Sequence, residues 1–184
     1  RCELYTGSVA ARGDDALCLL GLPDGQMAFV QLSSGASAPA LDDPWGQRTV
    51  GPDMVLRWYP ASAANVHDYC RRFRPDKAPR ALGATPRLGI GARMTTAMWP
   101  AAYRAMHLRG FAANALQNSV RELELLGNLL AGRPPEAIYC PGFGTVESGH
   151  TGATFEGEYV YGVLEALKYE AAVPYGADAD HIKV

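Results

Sequence analysis

The sequence predicts an α/β fold with a β-rich N-terminal layer, and three observations predict it. Strand-like apolar runs, separated by turn residues and one long loop, occupy the first sixty positions. The hydrophobic period then changes around Ser62. From about Gly83 onward, strand and helix patterns alternate at short intervals. Such alternation favours a parallel sheet with helices packed on it.

The first third contains four segments with the length and composition of strands, separated by turn signals such as Pro23-Asp24-Gly25. These segments are residues 3–9, 16–20, 26–32 and 54–59. Residues 33–52 are rich in Ser, Ala, Gly, Pro and Asp, and we predict a long loop there. No residue of this third indicates chemistry, so we expect residues 1–60 to form a cover or a small β subdomain.

Residues 61–184 are predicted to form a second, α/β domain. Helices are expected over Ala63–Phe73, with Ser62 as the cap, and over Thr95–Leu108, where Pro100 must lie in the first turn or kink the helix. Short strands are expected over Arg87–Gly91, as a buried strand, and over Phe111–Leu116.

Two further helices complete the pattern. The capping box Ser119–Glu122 begins the first of them. Thr154 can cap the second. Its buried stripe consists of Val160, Val163, Leu164 and Leu167. This last helix leads to a strand that begins near Val173, and we expect the strands to end near Gly91, Leu116 and Ala177 on one rim.

Composition excludes several classes of protein. The formal net charge of −2, with 48% hydrophobic and 20% charged residues, is ordinary for a globular protein and gives no nucleic-acid or anionic-membrane surface. The tightest basic cluster, Arg71–Arg74 with Lys77 and Arg80 nearby, is predicted to decorate the end of a helix. No apolar run is long enough to span a bilayer.

The four cysteines form no C-x-x-C pair, which predicts reduced thiols in a cytoplasmic protein. A bridge between Cys2 and Cys18 stays open as an alternative.

Two acids and a histidine lie within four positions near the end of the chain: Asp178, Asp180 and His181. On an extended segment the two acids share one face and His181 points to the other. A metal or acid/base site could use that arrangement where the strand ends, and the alternative is a surface turn with solvated charges.

His150 is the imidazole of a glycine-rich loop over residues 141–152. That loop lacks the lysine and the spacing of a phosphate-binding P-loop. His150 is therefore either a further ligand or an exposed loop histidine.

Two motifs resemble those of the tagaturonate epimerase family. They are Gln117-Asn118-Ser119-Val120-Arg121-Glu122-Leu123 and Gly176-Ala177-Asp178-Ala179-Asp180-His181-Ile182-Lys183, and Arg87-Leu88-Gly89 resembles a third in the same order. The resemblance covers roughly residues 83–184. It implies a (β/α)-barrel-like fold, of which residues 61–184 would be the first, truncated part. It also implies a divalent metal, of unidentified kind, and interconversion of tagaturonate and fructuronate by inversion at C4.

Site roles follow from motif position in this resemblance. Asp180 resembles the proton acceptor and His181 a divalent-metal ligand. Gln117 and Asp178 lie in the motifs as substrate-binding candidates, and Asp178 is also a possible ligand. Arg87 or Arg121 could pair with a substrate carboxylate through a bidentate fork, while the alternative for Arg121 is an exposed helix position.

Two other functions stay open. The chain could be a non-catalytic fold relative or trimmed domain that binds or packs, or belong to another metal-dependent enzyme of sugar chemistry, such as an aldolase. The family has an acid where Pro86 stands here. We further expect the remaining ligands to lie beyond Val184, so that these 184 residues alone bind metal weakly, show no turnover and self-associate.

Overall fold

The computed structural model describes residues 1–90, 95–118, 137–140, 144–147 and 155–179. Its strands are β1 Glu3–Arg12, β2 Asp15–Gly21, β3 Met27–Ser34, β4 Gly46–Gly51, β5 Met54–Pro60, β6 Arg87–Gly89, β7 Ala112–Asn118, β8 Ala137–Cys140, β9 Gly144–Glu147 and β10 Tyr175–Ala179. Its helices are α1 Ala63–Phe73, a 3-10 turn Pro75–Lys77, α2 Thr95–Arg109 and α3 Phe155–Ala166. The fold is mixed α/β, as predicted.

The chain divides into two compact units. The first contains residues 1–77 and 166–172, and the second contains residues 78–165 and 173–184. Helix α1 therefore belongs with the N-terminal sheet. The predicted division into domains 1–60 and 61–184 stays a prediction.

The first unit is built on a five-stranded antiparallel sheet in the order β1-β2-β3-β5-β4. Alternate residues of its strands form one buried face, as the period of two requires. Its large apolar side chains are Leu17, Leu19, Phe29 and Tyr59. The four predicted strands are confirmed, each with its ends displaced by a few residues at most.

Helix α1 contributes the other half of this core. It begins where the Ser62 hydroxyl accepts a hydrogen bond from the Asn65 amide at 3.3 Å, which confirms the predicted cap. Val66, Tyr69 and Cys70 are buried, and the Tyr69 ring stacks on Phe29 at 4.4 Å between centroids. The Tyr69 hydroxyl donates to the Ser8 carbonyl, and burial raises the pKa of this phenol.

The predicted loop over residues 33–52 is wrong in part, because Gly46–Gly51 forms strand β4. A short turn after Gly51 lets this segment pair with β5, with Thr49 opposite Val55. Most of its side chains are exposed, so backbone pairing rather than an apolar pattern makes the strand. The rest of the segment is held by buried Asn65, which accepts from the Asp42 amide and donates to the carbonyls of Asp42 and Pro60, each at 3.0 Å.

Lys77 departs from the predicted surface role of the basic cluster. Its side chain is fully buried, and its ammonium donates to the carbonyls of Tyr169 at 2.6 Å and Glu170 at 3.0 Å. Burial, followed by the nearby charge of Arg74, lowers the pKa of Lys77 from its ordinary value of 10.5 to about 8, although Asp76 opposes the shift. Arg71 and Arg72 do decorate the helix end, where both pair with Asp68.

The lowered pKa of Lys77 predicts a pH dependence of stability. Between about pH 8 and 10.5 the unfolded chain keeps a proton that the folded chain has lost, so this residue makes stability rise with pH. We expect its contribution to the free energy of unfolding to increase by about 2 kcal/mol from about pH 7 to pH 9.5. Urea titrations at both pH values, on the protein and on Lys77→Met, isolate this contribution from thiol and phenol titrations. Equal pH dependence of the two proteins would refute it.

The second unit contains a three-stranded parallel sheet in the order β10-β7-β6. The strands predicted near Leu116 and Ala177 and the strand predicted over residues 87–91 are present as β7, β10 and β6. Because the three strands are parallel, their carboxyl ends point to one edge of the sheet, while the predicted strand end at Gly91 lies outside the described residues. The prediction that residues 87–91 form a buried strand is wrong in its burial: Leu88 is 55% exposed. The three sheets among the described residues do not form a closed barrel, so the barrel stays a prediction.

Helices α2 and α3 confirm two of the helices predicted in this unit, and the helix predicted to begin at Ser119 lies outside the described residues. Pro100 is the sixth residue of α2 and thus lies beyond its first turn. Val160 and Val163 of α3 and the adjoining Leu167 are buried as predicted, while Leu164 is half-buried.

The glycine-rich segment 141–152 is not wholly a loop, because Gly144–Glu147 forms β9, which pairs with β8 as an antiparallel hairpin. Residues 141–143 and 148–152 of this segment lie outside the described residues, as do the capping box Ser119–Glu122 and Thr154.

Cys2, Cys18 and Cys70 are thiols, so the alternative bridge between Cys2 and Cys18 is absent. Within the described ranges, no helix has the length and apolar character needed to cross a membrane.

Candidate functional site

The parallel sheet brings two distant motifs side by side. In its register Gln117 of β7 lies opposite Asp178 of β10, and Asn118 lies opposite Ala179. These four residues are at the carboxyl ends of their strands, the edge where α/β proteins carry active-site residues. The structure thus brings together the backbones of two predicted substrate-binding residues, Gln117 and Asp178.

An aromatic cluster fixes strand β10 in this position. Tyr175, the first residue of the strand, is buried and packs against Trp99 at 5.3 Å and Tyr103 at 5.7 Å between ring centroids. The Tyr103 hydroxyl also accepts a hydrogen bond from the Val173 amide at 3.4 Å. Trp99 and Tyr103 both belong to α2, so this helix determines where strand β10 begins in the sheet.

A register shift lies between this anchor and the carboxyl edge. Gly176 pairs with Asn114, but Ala177 pairs with Leu116, so Ala115 is the extra residue of a bulge. Bulges bend a strand and re-aim the side chains that follow, and they are frequent beside active sites. The bulge therefore precedes Gln117 and Asp178 directly.

Gly176 has a steric reason to be glycine. A Cβ atom at this position would overlap the Asn114 side chain and would lie 3.4 Å from the Arg80 carbonyl oxygen. The Arg80 amide in turn donates to the Tyr175 carbonyl at 3.0 Å. The segment around Arg80 thus packs tightly against the start of β10.

A cavity of about 550 Å³ opens on the sheet face that carries Asn114 and Gly176. Its described lining residues are Pro79, Arg80, Ala81, Leu82, Gly83, Arg87, Asn114, Tyr159 and Gly176. The volume is in the range of small-molecule sites. Two arginines and no carboxylate are found among these described residues, so the cavity has a positive lining.

Arg87 belongs to this cavity and not to the carboxyl edge. It pairs with Ala112, five residues before Gln117 in β7, which corresponds to about 16 Å along the strand. Its Nη1 donates to the carbonyls of Gly83 at 2.9 Å and Thr85 at 3.1 Å. Arg87 therefore braces the loop before β6, and its predicted role in substrate binding stays a prediction.

The remaining predicted site residues, Arg121, His150, Asp180 and His181, lie outside the described residues. Over the described part of the chain, no group of three or more His, Cys, Asp or Glu side chains could hold a metal. The sequence carries Asp180 and His181 directly after β10, so these donors follow the carboxyl edge along the chain.

Sequence reasoning missed three residues of the cavity wall: Arg80, Asn114 and Tyr159. The sequence groups Arg80 with the basic cluster at the end of a helix, because it follows that cluster closely. The signal that separates it is the pair Pro75 and Pro79, since a helix that reaches Phe73 does not continue through two prolines to Arg80. Asn114 and Tyr159 carry no sequence signal, because the cavity gathers them from β7 and α3.

No protein-family model matches the chain, and no curated protein sequence matches it. Crystal structures of the fructuronate-tagaturonate epimerase UxaE from Cohnella laeviribosi do match it in fold. A complex with one glycerol has a TM-score of 0.66 at 19% identity, over 100% of this chain and 30% of that chain. The native structure has a TM-score of 0.65 at 19% identity, over 100% of this chain and 31% of that chain.

These structural neighbours are of the same kind as the family that the motifs resemble, so that resemblance is confirmed at the level of the fold. The chain spans about a third of the length of the neighbouring enzyme.

Proposed function

We propose that this chain is the N-terminal part of a metal-dependent sugar-acid epimerase that interconverts tagaturonate and fructuronate by inversion at C4. The observation that carries the proposal is the pairing of Gln117 with Asp178, because it joins the two motifs on which the sequence resemblance depends. The likeness in fold to the fructuronate-tagaturonate epimerase, over the full length of this chain, supports the same proposal independently of those motifs.

The proposed site lies at the carboxyl edge of the parallel sheet, which would be the first part of a (β/α)-barrel. His181, with Asp178 as a second donor, would hold the divalent metal, since imidazole and carboxylate are ligands that such ions accept. When bound, the metal would raise the acidity of the substrate. Asp180 would act as the base that takes up a proton from the carbon or hydroxyl at the inverted centre.

The cavity beside this edge suits a substrate of this class. Asn114 and Gly176 lie only three and two residues before Gln117 and Asp178, respectively, so part of the cavity wall is close in sequence to the proposed reaction site. Its arginines favour an anionic ligand, as a sugar acid is. A cytoplasmic location and the capacity of the isolated 184 residues to self-associate also stay proposals.

The proposal is tested by product analysis on the full-length protein and on these 184 residues alone. With tagaturonate and a panel of divalent cations, we expect the full-length protein to form fructuronate, detected by NMR, and to lose this activity on chelation. Smaller fragments in place of the epimer would support an aldolase-like enzyme. Binding without conversion at every metal would support a non-catalytic fold relative.

A further inference from the structure

We propose that the cavity is an anion site in which Arg80 pairs with the carboxylate of the bound ligand. The identity of that ligand as a sugar acid rests on the proposed function, whereas the anion preference rests on the cavity itself. No motif assigns a role to Arg80, and it differs from Arg87 in what its guanidinium contacts.

The backbone of Arg80 is fixed while its side chain is exposed. Its amide donates to the Tyr175 carbonyl at 3.0 Å, and its carbonyl oxygen lies against Gly176. The guanidinium makes no ion pair with the carboxylates of the described residues, although Asp68 and Asp76 neutralise the arginines that precede it. The cavity thus presents an arginine whose main chain is anchored and whose charge is uncompensated by the described chain.

Arg87 lines the same cavity but has a different role. Its Nη1 is engaged by the carbonyls of Gly83 and Thr85, so this residue holds the loop between Arg80 and β6. The positive φ of 53° at Gly83 is a left-handed conformation that favours glycine, and it turns the chain back at this point. Arg87 is therefore tied to this loop through Nη1, and we assign the contact with the anion to Arg80, whose guanidinium makes no such contact with the described chain.

The size of the cavity favours an organic anion over a simple inorganic one. Asn114 and Tyr159 also line it, and both residues already have interaction partners within the protein. A volume of about 550 Å³ leaves room for a six-carbon acid in addition to its carboxylate. The ligand is thus a small organic anion. Its charged group could be a carboxylate or a phosphate, and we assign the carboxylate.

Calorimetric titration of the intact protein tests this assignment with tagaturonate, neutral tagatose and inorganic phosphate as probes. We expect Arg80→Gln to weaken tagaturonate binding about 10- to 100-fold, because it removes one charge-assisted pair. Arg80→Lys, which keeps the charge without the fork, should recover part of this loss. Arg104→Gln is the matched control, since Arg104 is exposed on α2 and does not line the cavity.

The outcomes separate this inference from the proposed function. Tagaturonate binding that depends on Arg80, in a protein that does not convert it, would support the anion site and contradict the epimerase. Equal affinity of the protein and Arg80→Gln, or equal affinity for tagatose and tagaturonate, would overturn the anion site. Phosphate binding as tight as tagaturonate binding would overturn the carboxylate assignment. Circular dichroism of Arg80→Gln should match that of the unchanged protein because the side chain is exposed.

Discussion

Replacing Asp180 by Asn in the full-length protein is expected to lower turnover about 10²- to 10⁴-fold, which is the usual contribution of a positioned general base. The amide has nearly the same shape as the carboxylate but cannot take up a proton. Bound divalent metal, measured by elemental analysis after dialysis, should stay at the level of the unchanged protein. The conversion of tagaturonate to fructuronate, followed by NMR, gives the rate.

His181→Ala should behave differently, because this residue is the proposed ligand. We expect bound metal and turnover to fall together, and added metal to restore part of the rate. Asp14→Asn and His67→Ala are matched controls at exposed positions in the first unit, and neither should change metal content or rate. Full metal occupancy and full rate in His181→Ala would show that the role carried over from the motif is wrong.

Replacing Gly7 by Ala is expected to destabilise the first unit by about 3 kcal/mol or more, which lowers the melting temperature by roughly 10 °C. A Cβ at this position would overlap the backbone of Tyr169, at its carbonyl group and at its nitrogen. The clash is with main chain, so no change of side-chain rotamer can relieve it. The same Tyr169 carbonyl accepts from the buried Lys77 ammonium, so its displacement would also break that hydrogen bond.

Gly35→Ala is the matched control for this substitution. It lies in the same unit, and a Cβ there would meet its nearest neighbours at 3.7 Å and 3.9 Å, which are ordinary contact distances. Thermal unfolding followed by circular dichroism compares the two variants with the unchanged protein. A melting temperature for Gly7→Ala within two degrees of that for Gly35→Ala would contradict the packing of residues 166–172 on β1.

Local patterns in the sequence determined most elements of the fold. The apolar alternation of the first third predicts β1, β2, β3 and β5, because a strand with one buried face has a period of two. Ser62 predicts the start of α1, because a hydroxyl at that position can accept from an amide of the first turn. Strand β4 was not predicted, because its pairing with β5 depends on backbone hydrogen bonds and its side chains show no apolar pattern.

The sequence by itself also determined the two motifs and their order along the chain, and hence the candidate chemistry of Asp180 and His181. Only the tertiary structure decided that Gln117 lies opposite Asp178, because parallel strands pair across long connections whose paths a local pattern does not encode. It likewise decided that Lys77 is buried and that Arg80 lines a cavity, although the two residues are three positions apart. Whether a residue is buried or lines a cavity depends on which distant segments pack against it. For Lys77 the distant segment is the one that carries the carbonyls of residues 169 and 170, and for Arg80 it is strands β7 and β10.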